Sequence, residues 1–493
     1  MSNKQLNSTN GQIDQTYIEK YVKSEDLKFL VDNALDYAII TGFMQKAHSN
    51  HSNGFFQIRP FTLLPTPFPR KLFDQAKAVQ MAMNILYFRV SWDYKFLMDS
   101  HKDVIKTNSF IRKLCELMTQ VWGEGVKQKK SVLLQRADYL AGVYDGGLKL
   151  KQVEVNNISA GSAGMTIRIT KLHRNLLSKI GLDSESIDKH HPENDAIRSQ
   201  DMAMIQAWIE FDDPKAVVLF IVEDPNEVNM DQRDAEYSLE DMSNDKIVVV
   251  LMSLEECSFR LSLSERFELM LDNKKKVAVV YFRAGYIPSH YPTNETWEAR
   301  LIIERSIAIK CPCIGLQLAN TKKVQQKLSE PEVLEYFLSD MPYLIDEIRK
   351  TFAKMWGLEN NDQTTEIAIQ DAIVNPNNYV LKPQWEGGGG NIFGDELAMK
   401  LKTMSADERA AFILMEKIPA IVQRNYLVHP LQTVCKENLI SELGIYGSLF
   451  GNGETKEVYA NLTTGYLLRS KYASSNEGGL SMGTAVMDTP FLY

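Results

Sequence analysis

The run Lys382-Pro383-Gln384-Trp385-Glu386-Gly387-Gly388-Gly389-Gly390-Asn391 concentrates more usable chemistry than any other segment of the chain. A strand that delivers Lys382 into four successive glycines lets the backbone fold closely over an anion, with its N–H groups turned inward. The lysine suits phosphate neutralisation, and Glu386 suits a Mg²⁺ ion that bridges phosphates. A flexible surface loop is the plainer alternative, but it gives lysine, acid and asparagine no shared task. The run fits neither G-x-x-x-x-G-K-[ST] nor G-x-G-x-x-G, so Walker-type ATPases and dinucleotide folds are poor matches. Glu154-Val155-Asn156 ends another apparent strand, and alternation puts Glu154 and Asn156 on one face, where they could share a hard cation with Glu386. Arg469 and Lys471 share a strand face in Leu467–Lys471, just before the loop Gly478-Gly479-Leu480-Ser481-Met482-Gly483. Met415-Glu416-Lys417-Ile418 is an apolar strand ending in a charged pair, a pattern that suits an adenine-contacting hinge. For each of these three, ordinary exposed polar residues at a strand end are the competing reading.

The elements that must position these groups follow from periodicity. The first dozen residues read as a disordered tail. From Ile13 to about Phe110 the spacing is mostly helical, broken at Phe61–Arg70, where three prolines impose an extended strap. Ser131–Leu134 reads as a strand that runs into a turn at Arg136 and Asp138, and Leu148–Val155 as an alternating strand, with Asp145-Gly146-Gly147 as the hairpin turn between them. Met165–Ile180 reads as helix and Glu185–Asn194 as a charged surface connection, with His190-His191 in a solvated loop. Ala216–Val222, Lys246–Met252 and Lys276–Phe282 are short β-branched runs separated by helical stretches, the mark of a parallel α/β unit. Trp297–Lys310 and Thr321–Leu338 read as helices, and Tyr379–Leu381 and Ile413–Glu416 as strands. The organisation is a discontinuous main body, 1–212 and 320–493, with an inserted α/β domain at 213–319 and a lid region near 350–440 that carries the loop 387–391.

Bulk properties narrow the class. The 493 residues suggest more than one core, and 44% hydrophobic with 10% aromatic residues exclude wholesale disorder. A net charge of −8 argues against a dedicated nucleic-acid binder. No stretch reaches the roughly 18 apolar residues of a membrane span, and the first residues lack the pattern of a signal peptide. Cys311-Pro312-Cys313 has one intervening residue, fewer than redox or zinc pairs usually have, so all five cysteines read as reduced structural thiols.

Taken together, several blocks resemble the eukaryotic glutathione synthetases, a circularly permuted branch of the ATP-grasp ligases. They are RADY at Arg136–Tyr139, VEVNNIS at Val153–Ser159, VVYFRAGYIP at Val279–Pro288 and WEARLIIERS at Trp297–Ser306. LANTKKVQQ at Leu318–Gln326, LKPQWEGGGGN at Leu381–Asn391, LMEKI at Leu414–Ile418, SELGIYG at Ser441–Gly447 and LLRSK at Leu467–Lys471 complete the set in the family's order.

The resemblance implies an α/β ATP-grasp fold, a cytoplasmic homodimer, and ligation of γ-glutamylcysteine and glycine to glutathione with ATP and Mg²⁺ through an acyl phosphate. Partners would be these small molecules, with neither nucleic acid nor membrane. By position it assigns Glu154, Asn156 and Glu386 to the metal. Glu154, Lys322, Lys382, Glu386, Gly387, Gly388, Gly389, Gly390, Asn391, Phe393, Met415, Glu416, Lys417, Ile418, Glu442, Lys471 and Glu477 would surround the nucleotide and its ion. Arg136, Ser159, Gln232, Arg283, Tyr286 and Arg469 would bind the peptide and acceptor, with Leu480 and Ser481 in the loop over the acceptor. Arg136, Lys382 and Arg469 would carry the catalysis. Several positions depart from the family's pattern. Gly161 replaces a small polar residue, Ala284 an aspartate and Trp385 a basic residue. A peptide-site asparagine aligns with Val228 unless a one-residue shift brings in Asn229, and Leu480 and Ser481 stand where a family member has two small apolar residues. A relative that uses β-alanine or serine, or a catalytically silent homologue kept as a binding protein, are the alternatives.

Overall fold

The computed structural model describes residues 16–23, 25–46, 55–359, 362–384, 389–429, 432–476, 478, 480 and 483–493. The amino-terminal tail, Trp385 and Glu386 with the first two loop glycines, Glu477 and Ser481 lie outside the described residues.

Three long strands form the centre of the molecule: Lys130–Tyr144, Cys435–Asn452 and Glu457–Tyr472. They run antiparallel side by side, with Glu442 opposite both Leu140 and Arg469, and Tyr446 opposite Arg136. Gly147–Asn156 pairs with the other edge of Lys130–Tyr144 through a tight turn at Asp145-Gly146. Among the described residues these strands belong to a 13-stranded sheet. Its alternation is visible in the packing. Leu133 and Ala137 join the apolar cluster beneath the Arg70–Ser91 and Ser109–Gly123 helices. Val132 and Leu134 face the opposite layer, which includes the Ala196–Phe211 helix. Helices on both faces thus exclude water from a sheet that would otherwise expose one apolar side.

The sequence segment 213–319 supplies Val217–Ile221, Val249–Met252 and Lys275–Phe282, which pair in parallel. They do not stand as a sheet of their own, because Ile309–Cys311 pairs in parallel with both Lys275–Phe282 and Lys130–Tyr144. A small separate sheet joins Met355–Gly357, Phe412–Glu416 and Tyr379–Pro383, packed under the Gln363–Val374 and Gly394–Thr403 helices.

Four local expectations are corrected. Arg136 and Asp138 lie within the 15-residue strand rather than in a turn, because their side chains neutralise each other. The stretch expected to be a charged connection contains the Ser184–His190 helix, capped by Asp183. His191 is fully buried against Thr489, and His190 stacks on Phe491, so neither sits in a solvated loop. The helix expected over 297–310 spans Asn294–Arg305, and its last residues give way to the three-residue strand. The five cysteines are unpaired, and among the described residues no helix is long and apolar enough to cross a membrane.

Candidate active site

The pleat brings the polar groups of the central strands to one face. Arg136 donates from Nε to Asp138 Oδ1 at 2.7 Å and from Nη2 to Oδ2 at 2.9 Å. The next strands add Arg469, whose Nη2 reaches Asp138 Oδ2 at 3.2 Å and whose Nε reaches Glu442 Oε1 at 3.2 Å. Asn156, opposite Arg136 in the register, donates from Nδ2 to Asp138 Oδ2 at 3.0 Å. One buried carboxylate therefore aims both arginines and the asparagine. Sequence reasoning omitted Asp138. The signal was present, since residues two apart on a strand share a face, but the turn assigned there hid it.

On the same face Lys322 Nζ lies 3.3 Å from Glu154 Oε2. Lys382 arrives on the Tyr379–Pro383 strand and donates to the Val153 carbonyl at 2.8 Å. Lys471 Nζ reaches the carbonyl of Asn476 at 2.7 Å. Burial would raise the pKa of Glu154, but Lys322, Lys382, Arg469 and Arg136 outweigh it and hold the carboxyl well below its ordinary range. Glu442 moves the other way: burial raises it, with Asp138 and Glu154 adding repulsion, and Arg469 offsets only part. Arg136, Arg469, Lys322, Lys382 and Lys471 face Asp138, Glu154 and Glu442, an excess of cations suited to an anionic substrate pair.

Beside the lysines, Val153, Val380, Phe393, Met415 and Ile418 pack in one apolar cluster. Glu416 accepts from the Lys354 backbone N–H at 3.0 Å, and Lys417 bridges Phe393 and Asn476, at 5.7 Å from the ring and 2.9 Å from Oδ1. The strand Tyr379–Pro383 is tied by Leu381 to Ile392, so Gly389, Gly390 and Asn391 emerge beside Lys382.

The peptide-side residues form a second group. Ser159 takes a left-handed φ of 51° and donates from Oγ to the Arg283 carbonyl at 3.0 Å. Arg283 Nη2 meets Asp231 Oδ2 at 2.5 Å. Gly161 makes that pair fit, because a Cβ there would stand 2.9 Å from Asp231 Oδ2 and 3.1 Å from Arg283 Nη2. The Tyr446 hydroxyl donates to the Gly161 carbonyl at 2.6 Å, which links this group to the arginine cluster. Gln232 is engaged with Asn229 in the capping box of the Met230–Met242 helix, and Tyr286 donates to Glu223 at 3.3 Å. Val228 is buried in the apolar layer, so its position offers no polar contact. Ala284 is buried in the apolar cluster that includes Leu219 and Phe282. Leu480 packs on the apolar cluster of Phe61, Tyr446 and Met487.

A hard cation fits the described donors. Glu154 is anionic, and Asn156, with Nδ2 committed to Asp138, keeps Oδ1 as a ligand; Glu386 lies outside the described residues. Among the described residues no cluster of three or more His, Cys, Asp or Glu forms a metal site.

The model of the eukaryotic glutathione synthase, ATP-binding domain, matches residues 24–492. This chain belongs to the eukaryotic glutathione synthase family. It is 37% identical to the glutathione synthetase of Xenopus laevis over 96% of this chain and 98% of that one. With the Mus musculus glutathione synthetase it shares 38% over 95% and 97%. The solved apo structure of a glutathione synthetase-like effector from Globodera pallida superimposes with a TM-score of 0.78 at 32% identity, covering 96% of this chain and 98% of that chain. The family is one of ATP-grasp ligases, and the α/β architecture above is its permuted fold. This member of the glutathione synthase family is accordingly a ligase that forms glutathione from γ-glutamylcysteine, glycine and ATP.

Proposed function

We propose that the chemistry runs on the Asp138-centred face, and that the observation carrying this is the convergence of Arg136 and Arg469 on one buried carboxylate, with Lys322 and Lys382 alongside. The free cysteine carboxylate of γ-glutamylcysteine takes the terminal phosphoryl group of ATP, giving an acyl phosphate and ADP. The glycine amine attacks the carbonyl carbon, and the tetrahedral intermediate expels phosphate. Arg136 and Arg469 hold the carboxylate and then the developing oxyanion, a task suited to rigid, paired donors. Asp138 and Glu442 keep both guanidiniums aimed before substrate arrives. Lys322, Lys382 and Lys471 hold the phosphates, while Glu416 and Ile418 border the base. Mg²⁺ held by Glu154, Asn156 and Glu386 would neutralise phosphate charge. Closure of the small sheet over the cleft would exclude the water that hydrolyses acyl phosphates.

In this reading 1–212 with 320–493 is the main body, 213–319 carries the peptide side and 350–440 the lid. The continuous sheet makes 213–319 an extension of the body rather than a loosely tethered unit. Family membership supports a homodimer and a cytoplasmic location.

The departures at Leu480 and Ser481, in the loop over the acceptor, favour testing other amines alongside glycine. Purified protein with ATP, Mg²⁺ and γ-glutamylcysteine is offered glycine, β-alanine or serine, and phosphate release and product mass are followed. Glycine should give the highest kcat/KM, about tenfold above β-alanine, since one methylene is worth about 1–3 kcal/mol. Preference for a competitor moves the acceptor assignment. Absence of turnover with every amine supports a silent binding protein.

A further inference from the structure

We propose that Arg59 is a specificity-determining residue that receives the carboxylate at the γ-glutamyl end of the donor peptide, remote from the reacting carboxylate. The inference rests on the ligase reading above. Arg59 is separated by Pro60 alone from the Phe61–Thr62 strand, whose Phe61 pairs with Met487, which in turn pairs with Arg469. Pro60 accepts from the Met487 N–H at 3.0 Å. The Arg59 N–H donates to the Phe43 carbonyl at 3.3 Å, and Arg168 donates from Nε to the nearby Thr41 carbonyl at 3.2 Å, so Arg59 and Arg168 are anchored on the same short stretch of backbone.

The surrounding charges leave Arg59 a vacancy for an anion. Arg168 grips Asp234 with two donors, at 2.5 and 2.7 Å, and Arg283 grips Asp231. Asp231 and Asp234 are also the carboxylates that act on Arg59. Three guanidiniums therefore share two carboxylates. Arg59 is half-buried, and its Nε is shielded from solvent with no hydrogen-bond partner. A buried, unmet donor on a surplus cation is costly by itself and is relieved by an incoming carboxylate. Asp231 joins this cluster to Arg283, Gly161 and Ser159, so the carboxylate it would take lies on the peptide side of the site. The absence of a Cβ at Gly161 keeps the Asp231–Arg283 pair close to the backbone, and Val228 contributes no polar group that could recognise the same end of the peptide.

The test compares γ-glutamylcysteine with 4-aminobutanoyl-cysteine, which keeps the amine and the reacting carboxylate and lacks the remote one. In Arg59→Met, kcat/KM for γ-glutamylcysteine should fall about 10- to 100-fold, the range for a charge-assisted hydrogen bond, mainly through KM. The analogue should change less than about threefold, and Arg59→Lys should recover part of the loss. Equal losses for both donors, or no loss, would overturn the proposal. Calorimetric titration of γ-glutamylcysteine in the absence of ATP separates the two readings. A protein that binds the peptide through Arg59 without turning it over keeps this inference and loses the ligase reading. Normal turnover indifferent to Arg59 does the reverse, and a wild type that neither binds nor turns over the peptide refutes both. Arg59→Lys carries the same comparison if the methionine variant does not fold.

Discussion

Asp138 holds three donors from three strands, so its charge matters more than its volume. Asp138→Asn keeps the shape and removes the charge that balances Arg136 and Arg469. We expect kcat to fall about 10²-fold with little change in KM for ATP, in line with the loss of one preorganised electrostatic contact; steady-state kinetics checks this. Asp488 makes a different statement. Its carboxyl is buried, accepts from Thr66 Oγ1 at 2.6 Å and from Ser470, and burial raises its pKa from 3.8 to about 6. Folding therefore favours the protonated form. That contribution is complete below the unfolded value of 3.8 and disappears as pH rises through about 6. The wild-type melting temperature should drop between about pH 4 and 6 relative to Asp488→Asn, by the equivalent of roughly 2–3 kcal/mol. At this scale the sequence was uneven. Arg136, Glu154, Lys382 and Arg469 could be picked out because strand alternation and glycine loops leave a pattern. Asp138 carries the same pattern but was hidden by the turn expected there, and Arg59 could not be picked out, because its meaning depends on Asp231 and Asp234, far along the chain.

Short elements carry much of the positioning. The Ile314–Ala319 helix leads directly to Lys322, and it touches the end of the Arg70–Ser91 helix backbone to backbone. A Cβ at Gly315 would stand 2.0 Å from the Ser91 carbonyl oxygen. Gly315→Ala should therefore force the helices apart at a cost of about 1–3 kcal/mol or more, and displace Lys322. Thermal unfolding and KM for ATP should worsen together; a variant with unchanged values would show that the contact yields easily. The small sheet offers a second check. Nucleotide should slow hydrogen exchange at the amides of residues 379–382 and of Phe412–Glu416 if Lys382 turns from the Val153 carbonyl to phosphate. Long apolar runs made most of these elements legible. The Met44–Lys46 and Phe56–Ile58 hairpin and the Ile309–Cys311 strand were not, since three residues carry too little periodicity and owe their form to neighbours.

For the whole molecule, the family pattern conveyed a permuted fold that periodicity alone could not. Local propensity gives no means of pairing Phe61 with Met487 or Thr66–Phe68 with Pro490–Leu492. Light scattering at micromolar concentration should return twice the chain mass, and a monomer would refute the homodimer. The same pairings also constrain the order of events during synthesis. The strand Thr66–Phe68 has to wait while more than four hundred further residues are translated before its neighbour exists. Its backbone donors and the apolar surface around Phe61 remain without their partners on the ribosome, a window in which chaperones would be needed and aggregation competes. Nascent chains stalled before residue 486 should stay protease-sensitive near the strap, and release of the complete chain should bring protection there at the same time as activity.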